Sequence, residues 1–435
     1  MALGGTSKSN GQGQLEIGGC NAIDLTTQYG TPLYVYDEKL IRDNIRSFFN
    51  AFKKHNVKFN IAYASKALCN MAICQVIKEE GLSIDVVSAG ELYTALKSGF
   101  PASRIHFHGN NKTPEEIKMA LQAKVGCYVV DNFNEIDLLN RLAKKHNQIV
   151  SILFRVSPGI KAHTHQYIQT GQQESKFGFD MISGQVLEAI KRLDKRDNLH
   201  FLGFHCHLGS QIFDKKAYLV ALQKFFDLIN TTKQQFGLDT QVINLGGGFG
   251  IRYTDEDNPL IVEEYIDSIV GTVKQECNDR HMDTLPEIWI EPGRSIVGEA
   301  GTTLYTIGSE KEIPGIKKYV AVDGGMTDNL RPALYQSKYN AFIANRVDDE
   351  PVEVVSIAGK CCESGDMLIH DIKLPNAKNG EILAIPCTGA YGYAMANNYN
   401  RITRPAMVFV KDGNSVLVVK RETLDQLIQN DLVLT

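Results

Sequence analysis

The chain has cysteines but no arrangement of them that binds a metal or builds a disulfide framework. Nine cysteines, an odd number, stand at Cys20, Cys69, Cys74, Cys127, Cys206, Cys277, Cys361, Cys362 and Cys387, with no C-x-x-C pair among them. That pattern excludes a secreted disulfide scaffold and a structural zinc site, and no metal is expected. Long apolar runs are also missing: none approaches the roughly 18 to 20 residues that a membrane helix needs. The start, MALGGTSKSNGQGQ, lacks the apolar core of a secretory signal. A cytoplasmic chain with no membrane partner is the expectation. Charge of one sign is not in excess either, since 46 basic and 50 acidic side chains leave a net charge of -4. Nothing electrostatic therefore argues for nucleic acid, and a small molecule is the expected partner.

What is present is ordinary globular material, 43% hydrophobic and 22% charged over 435 residues, enough for one large domain and a smaller one. From about residue 57 to 290 one rhythm repeats. A short β-branched or aromatic run ends in polar or glycine residues, and a helix-like segment follows. Eight such runs occur: FNIAYAS (59 to 65), SIDVVS (83 to 88), IHFHG (105 to 109), CYVVD (127 to 131), SILFRV (151 to 156), FLGFHCHL (201 to 208), VINLG (242 to 246) and EIWIE (287 to 291). Between them, TPEEIKMALQAK carries a capping Thr113, Pro114 at the first helical position and Glu116 three residues after the cap. The segment DKKAYLVALQKFFDLINTTKQQFG has helical apolar spacing and ends in Gly237.

Eight strands alternating with helices fit a (β/α)₈ TIM-type barrel better than an open doubly wound sheet. After residue 291 the texture changes to strand-like runs separated by turns, which predicts an antiparallel β-domain. The expected organisation is α/β: a flexible tail at 1–13, a barrel at 38–290, and a β-domain made of 14–37 with 291–425. TPLYVYD (31 to 37) supplies the N-terminal strand of the last.

Barrel enzymes collect reactive groups at the C-terminal strand ends and bind phosphate after strands seven and eight. The polar residues obey that rule. Strand one ends in Lys66, two in Asp85 and Ser88, three in His108, five in Arg155, six in His205 and His207, seven in Gly246, Gly247 and Gly248, and eight in Glu291, Pro292, Gly293 and Arg294. Glycine backbone lets an anion approach closely, although a tight turn at a rim would use the same residues. Any lone rim lysine is more often a snorkelling side chain. Held against apolar surroundings, however, Lys66 would lose its proton more readily and attack a carbonyl. Lysine, phosphate cup and carboxylate together suggest pyridoxal 5'-phosphate, which needs a Schiff-base amine, an anion site and an acid at its ring nitrogen. His207, followed by LGSQ, is placed to lie on the ring, with Ser210 near the phosphate.

The motifs YGTPLYVYD, YASKA, SAGEL, HGNNK, HCHLGSQ, GGGFG, EPGRS, VDGGMTDNLRPALY, CESGD and GAYGYAM follow one another from about residue 14 to 425. In that order they resemble the fold type III, alanine racemase-like decarboxylase family that uses pyridoxal phosphate, and within it the diaminopimelate decarboxylases. The resemblance implies that Lys66 carries the cofactor, His207 stacks on its ring, and Glu291 pairs with its ring nitrogen. Ser210, Gly246 to Gly248, Pro292, Gly293 and Arg294 would hold the phosphate side, with Tyr391, Asp85 and His108 completing the pocket. It further implies a homodimer in which Cys362 and Glu363 reach into the other subunit's site, with Cys362 and Lys66 as candidate proton donors. The implied reaction is decarboxylation of meso-2,6-diaminopimelate at its D-centre to L-lysine, the last step of lysine biosynthesis. Arg294, Arg331 and Tyr335 would take the distal carboxylate, and Glu363 the distal amine, alongside Tyr391. A decarboxylase of arginine or carboxynorspermidine is the rival reading, and a non-catalytic cofactor-binding regulator is another. One departure stands out: after RPALY, where relatives often carry AYH, this chain has Ser337, Lys338 and Tyr339.

Overall fold

The computed structural model describes residues 3–160 and 175–434. The chain divides into two compact units: Ile45–Gly250 with Pro259–Gly293, and Met1–Asn44 with Ile251–Asn258 and Arg294–Thr435.

In the first unit the short β-branched and aromatic runs fold as strands because both of their faces are covered, so near-continuous apolar sequence suits them. The barrel strands are Phe59–Ala64, Ser83–Val86, Ile105–Phe107, Cys127–Val130, Val150–Ser157, Leu199–His205, Val242–Asn244 and Glu287–Ile290. They pair in chain order, all parallel, and the eighth pairs back onto the first, with Ile290 opposite Ile61. Register sets the rim. Ala64 lies opposite Asp85, Asp85 opposite His106, and His205 between Arg155 and Asn244. Cys127, Val129, Leu153, Val242 and Trp289 form one buried cluster, and the His106 ring lies flat on Trp289 at 4.6 Å between centroids. Cys127 is thus core packing, and all nine cysteines are free thiols.

The helices begin and end where local chemistry directs. Pro114–Ala123 opens on a reciprocal capping box between Thr113 and Glu116, which satisfies two backbone donors at its start. Lys216–Phe236 stops at Gly237, whose φ of 67° is left-handed. Tyr218 of that helix stacks on Phe249 and donates its hydroxyl to the Gly247 carbonyl at 2.9 Å.

The second unit is mostly sheet, organised along Gly301–Ile313. Its first residues bond Leu33–Asp37 on one side and Ile382–Pro386 on the other; beyond a bulge it bonds Lys317–Val322. The turn spacing predicted antiparallel pairing throughout, but two pairs are parallel. Lys317–Val322 runs parallel to Glu353–Ala358, and Leu33–Asp37 runs parallel to Ala406–Lys411. Connections between such strands pass through intervening segments, so turn spacing alone could not reveal them. Within the stretch read as a tail, Lys8–Ser9 pairs with Leu15–Ile17, and Thr6 donates to the Asp37 carboxylate. Among the described residues no helix is long and apolar enough to cross a membrane.

Candidate active site

The C-terminal strand ends of the barrel surround a cavity of about 350 Å³, within the range that holds small ligands. Lys66, Asp85, His108, Arg155, His205, His207, Gly247 and Glu291 line it, so eight of the rim residues singled out in the sequence share one space. Each is carried there by strand register. Lys66 follows strand one in a single 3-10 turn, Ser65–Ala67, and the Ala64 N–H donates to the Pro292 carbonyl at 3.2 Å, which ties strand one to the end of strand eight. The lysine side chain is exposed. The expectation of an amine pressed against apolar surroundings is therefore corrected: Lys66 stands in the cavity with polar neighbours.

Glu291 is the electrostatic centre. Its Oε1 accepts from Asn244 Nδ2 at 2.6 Å and lies 3.2 Å from His108 Nε2, while His205 Nε2 lies 2.9 Å from Oε2. Asp85 Oδ1 sits 3.4 Å from His108 Nε2 and 3.5 Å from His106 Nδ1. Burial alone would push the Glu291 carboxyl up, yet His205 and His108 hold it well below the usual range, so it stays ionised. For His108, burial favours the neutral ring, but Glu291 and Asp85 win and raise it to about 9. His205 is lowered, chiefly by burial. Glu291 is thus a carboxylate between an imidazolium and a neutral imidazole. The ligand atoms of His108, His205 and Glu291 lie within 4.8 Å of one another, but a protonated His108 has no lone pair to offer a cation.

His207, by contrast, is held well below its ordinary value, first by burial and then by the charges of Lys66 and Arg155. Its Nδ1 accepts the Gly247 N–H at 3.2 Å, which places the remaining proton on Nε2. The triple glycine is demanded by space. A Cβ at Gly247 would come within 2.3 Å of the Glu291 carbonyl oxygen, and one at Gly246 within 2.5 Å of the Cys206 carbonyl. Two of its three N–H groups are already engaged, Gly246 with Asn244 Oδ1 and Gly247 with His207 Nδ1. Gly248, at φ 104°, keeps its N–H without a partner among the described residues. The loop offers an anion fewer donors than three bare glycines suggest. Ser210 lies partly buried shortly after His207, and Gly293 packs with its Cα side on Ala64 and Ala67.

In the other unit, Arg294 opens a short helix, Arg294–Val297, and Arg331 opens Arg331–Tyr335. Both are buried. Arg294 donates to the Tyr253 hydroxyl and lies 4.8 Å from the centre of the Tyr391 ring. Arg331 donates to the Tyr339 hydroxyl at 2.5 Å and lies over the Tyr253 ring at 4.8 Å. Tyr391 adopts a left-handed φ of 60°, which costs a bulky residue energy and recurs at functional positions. Tyr335 is partly buried, while Cys362 and Glu363 are exposed and make no bond to this cluster among the described residues. Sequence reading passed over Asn244 and Tyr253, and met Tyr339 only within the departure after RPALY, without a role. Asn244 is a polar residue inside an apolar strand, which is a usable signal; the two tyrosines are separated by more than eighty residues and carry none.

These residues fit pyridoxal phosphate. An accessible amine, an ionised carboxylate and an imidazole with a defined tautomer border one cavity of suitable volume.

Residues 41–298 match the family model for the pyridoxal-dependent decarboxylase, pyridoxal binding domain. The chain is 56% identical to the diaminopimelate decarboxylase of Bacillus subtilis (strain 168), covering 99% of this chain and 98% of that one. It is 48% identical to that of Staphylococcus aureus (strain COL), over 98% and 99% of the two chains. Its fold matches the crystal structure of diaminopimelate decarboxylase from M. jannaschii in co-complex with L-lysine, with a TM-score of 0.92 at 38% identity and 98% coverage of both chains. The chain belongs to the diaminopimelate decarboxylases, within the pyridoxal-dependent decarboxylase family.

Proposed function

We infer that the chain decarboxylates meso-2,6-diaminopimelate at its D-centre, releasing carbon dioxide and L-lysine, with pyridoxal 5'-phosphate as cofactor. When bound, the cofactor supplies an aldehyde that captures the substrate amine and a protonated ring that accepts the electron pair left by the departing carboxylate. The chain's own residues prepare that chemistry. Lys66 Nζ would hold the cofactor through its aldehyde carbon. Glu291, kept anionic by His205 and His108, would hold a proton at the ring nitrogen. His207, with its proton on Nε2, would lie against the ring. Ser210, Gly246, Gly247, Gly248, Pro292, Gly293 and Arg294 would hold the phosphate, and Asp85, His108 and Tyr391 would be further cofactor-binding residues. Return of a proton to the substrate carbon falls to Cys362 Sγ or Lys66 Nζ.

Arg331 carries the substrate assignment. Among the described residues no carboxylate pairs with this buried guanidinium, and a buried charge left uncompensated is costly. A ligand carboxylate answers that need. Arginine and ornithine present a cation at the distal end, which two arginines would repel; diaminopimelate presents a second amino-acid head, whose carboxylate suits Arg294, Arg331 and Tyr335 and whose amine suits Glu363. The nine free thiols support a reducing, cytoplasmic setting. The exposure of Cys362 and Glu363 supports a homodimer in which they serve the other subunit.

The test is carbon dioxide release from meso-diaminopimelate, arginine and ornithine by protein whose cofactor content is checked by absorbance, alongside Lys66→Ala. Turnover of diaminopimelate alone, lost together with the cofactor band in Lys66→Ala, is expected. Comparable turnover of arginine would remove the substrate assignment; an intact band and full turnover in Lys66→Ala would remove the role of Lys66.

A further inference from the structure

Arg331 meets two aromatic phenols where a buried arginine ordinarily meets an acid. Its Nη1 donates to Tyr339, its guanidinium covers Tyr253, and Arg294 donates to that same Tyr253 hydroxyl. The two rings meet edge to face, 5.4 Å apart at 90°. One tyrosine pair thus touches both arginines.

A phenol is a particular kind of partner. It accepts a guanidinium N–H through an oxygen lone pair and fixes its direction, but it carries no charge. Burial, the leading influence, raises the Tyr339 hydroxyl to about 12, so it remains a neutral phenol. A glutamate in its place would orient Arg331 equally well and cancel its charge; the phenol leaves the charge whole for an incoming anion. Each phenol also retains its own proton, for which no acceptor exists among the described residues.

The chain supports this pair from outside. Tyr339 belongs to the Ser337, Lys338, Tyr339 stretch where the family resemblance breaks. Lys338 pairs with Glu256 at 2.8 Å, and Asn340 Nδ2 donates to the Tyr253 carbonyl at 3.3 Å. Two flanking residues therefore connect the segment that carries Tyr339 with the segment that carries Tyr253, the ion pair doing so at the exposed surface, where it contributes little.

We propose that Tyr253 and Tyr339 are positioning residues that aim Arg294 and Arg331 at the distal carboxylate of the substrate and so select substrates that carry one. The proposal rests on the assignment of those arginines to that carboxylate. Losing the Tyr339 hydroxyl removes the hydrogen bond that directs Arg331, and losing the Tyr253 hydroxyl removes one contact of Arg294; neither change removes a charge, so substrate binding weakens more than the chemical step.

The experiment compares holoenzyme with Tyr253→Phe, Tyr339→Phe, Tyr339→His and Arg331→Met, recording KM and kcat for meso-diaminopimelate, cofactor absorbance and melting temperature. Each Phe variant is expected to raise KM by about five- to twentyfold with kcat within about twofold and cofactor absorbance unchanged. Tyr339→His keeps a ring nitrogen that can accept from Arg331 and is expected to recover most of the loss. An unchanged KM in both Phe variants, with KM raised in Arg331→Met, overturns the proposal and leaves the carboxylate assignment standing. An unchanged KM in Arg331→Met overturns that assignment itself. A fall in kcat accompanied by lost absorbance or a lowered melting temperature in the Phe variants shows a structural role and equally overturns the proposal.

Discussion

At the scale of single residues, the barrel site works by unequal treatment of similar groups. Three histidines, His108, His205 and His207, lie close to the same carboxylate, yet only His108 is pushed up, because it alone lies between Glu291 and Asp85. His207 is pushed down, first by burial and then by the charges of Lys66 and Arg155. A pH dependence follows. The folded value of His108, about 9, exceeds its unfolded value of about 6.5. Its stabilisation is therefore complete below about pH 6.5 and is lost as the pH rises through about 9. The melting temperature of the native protein is expected to fall between pH 6.5 and 9.5, and His108→Gln is expected to flatten that fall. Parallel curves for the two proteins across that range would show that His108 is not the titrating group. The network was only partly legible beforehand, because a strand-end position places His108 and Glu291 on one rim but says nothing of which histidine sits between two acids.

At the scale of elements, the buried pair Lys112 and Glu135 ties two strand ends together. Lys112 Nζ donates to the Gly109 carbonyl at 2.9 Å, the Val129 carbonyl at 2.7 Å and Glu135 Oε1 at 2.6 Å, and Glu135 Oε2 accepts the Asp131 N–H at 3.0 Å. Both side chains are almost fully buried. The loop after strand three, which carries His108 and Gly109, is thereby fixed to the end of strand four. Lys112→Met strands Glu135 as an unpaired buried acid and is expected to cost about 3–5 kcal/mol in denaturant unfolding. Lys112→Met combined with Glu135→Leu is expected to recover most of that, because the pair is then replaced rather than broken. If the double variant is no more stable than the single one, the pair contributes through geometry alone. HGNNK could be recognised in the sequence, but its lysine could not be told from a ligand-binding one. Capping boxes were readable at once, since Thr113 and Glu116 are three residues apart and meet without help from the rest of the fold.

For the whole molecule, the proposed homodimer makes Cys362 and Lys66 members of one site on two different chains. Mixing inactive Lys66→Ala with inactive Cys362→Ala under subunit exchange is expected to restore activity toward about a quarter of native, and sedimentation checks that dimers persist. No recovery despite exchange would place both residues in one chain's site. The alternation of strands and helices, the closed count of eight, and the polar residues at most of the strand ends were determined by the sequence itself, because these are local patterns with a period of one βα unit. The parallel pairs of the β unit, the ordering of residues 8 and 9 against 15 to 17, and the Tyr253, Tyr339, Arg294 and Arg331 cluster were decided by tertiary structure. Their partners are distant in the chain, so no local spacing can bring them together. The same holds for charge. A lysine at a strand end makes Lys66 a candidate from sequence alone, whereas the protonation of His108 and the ionisation of Glu291 depend on which burials and which neighbouring charges the closed barrel imposes.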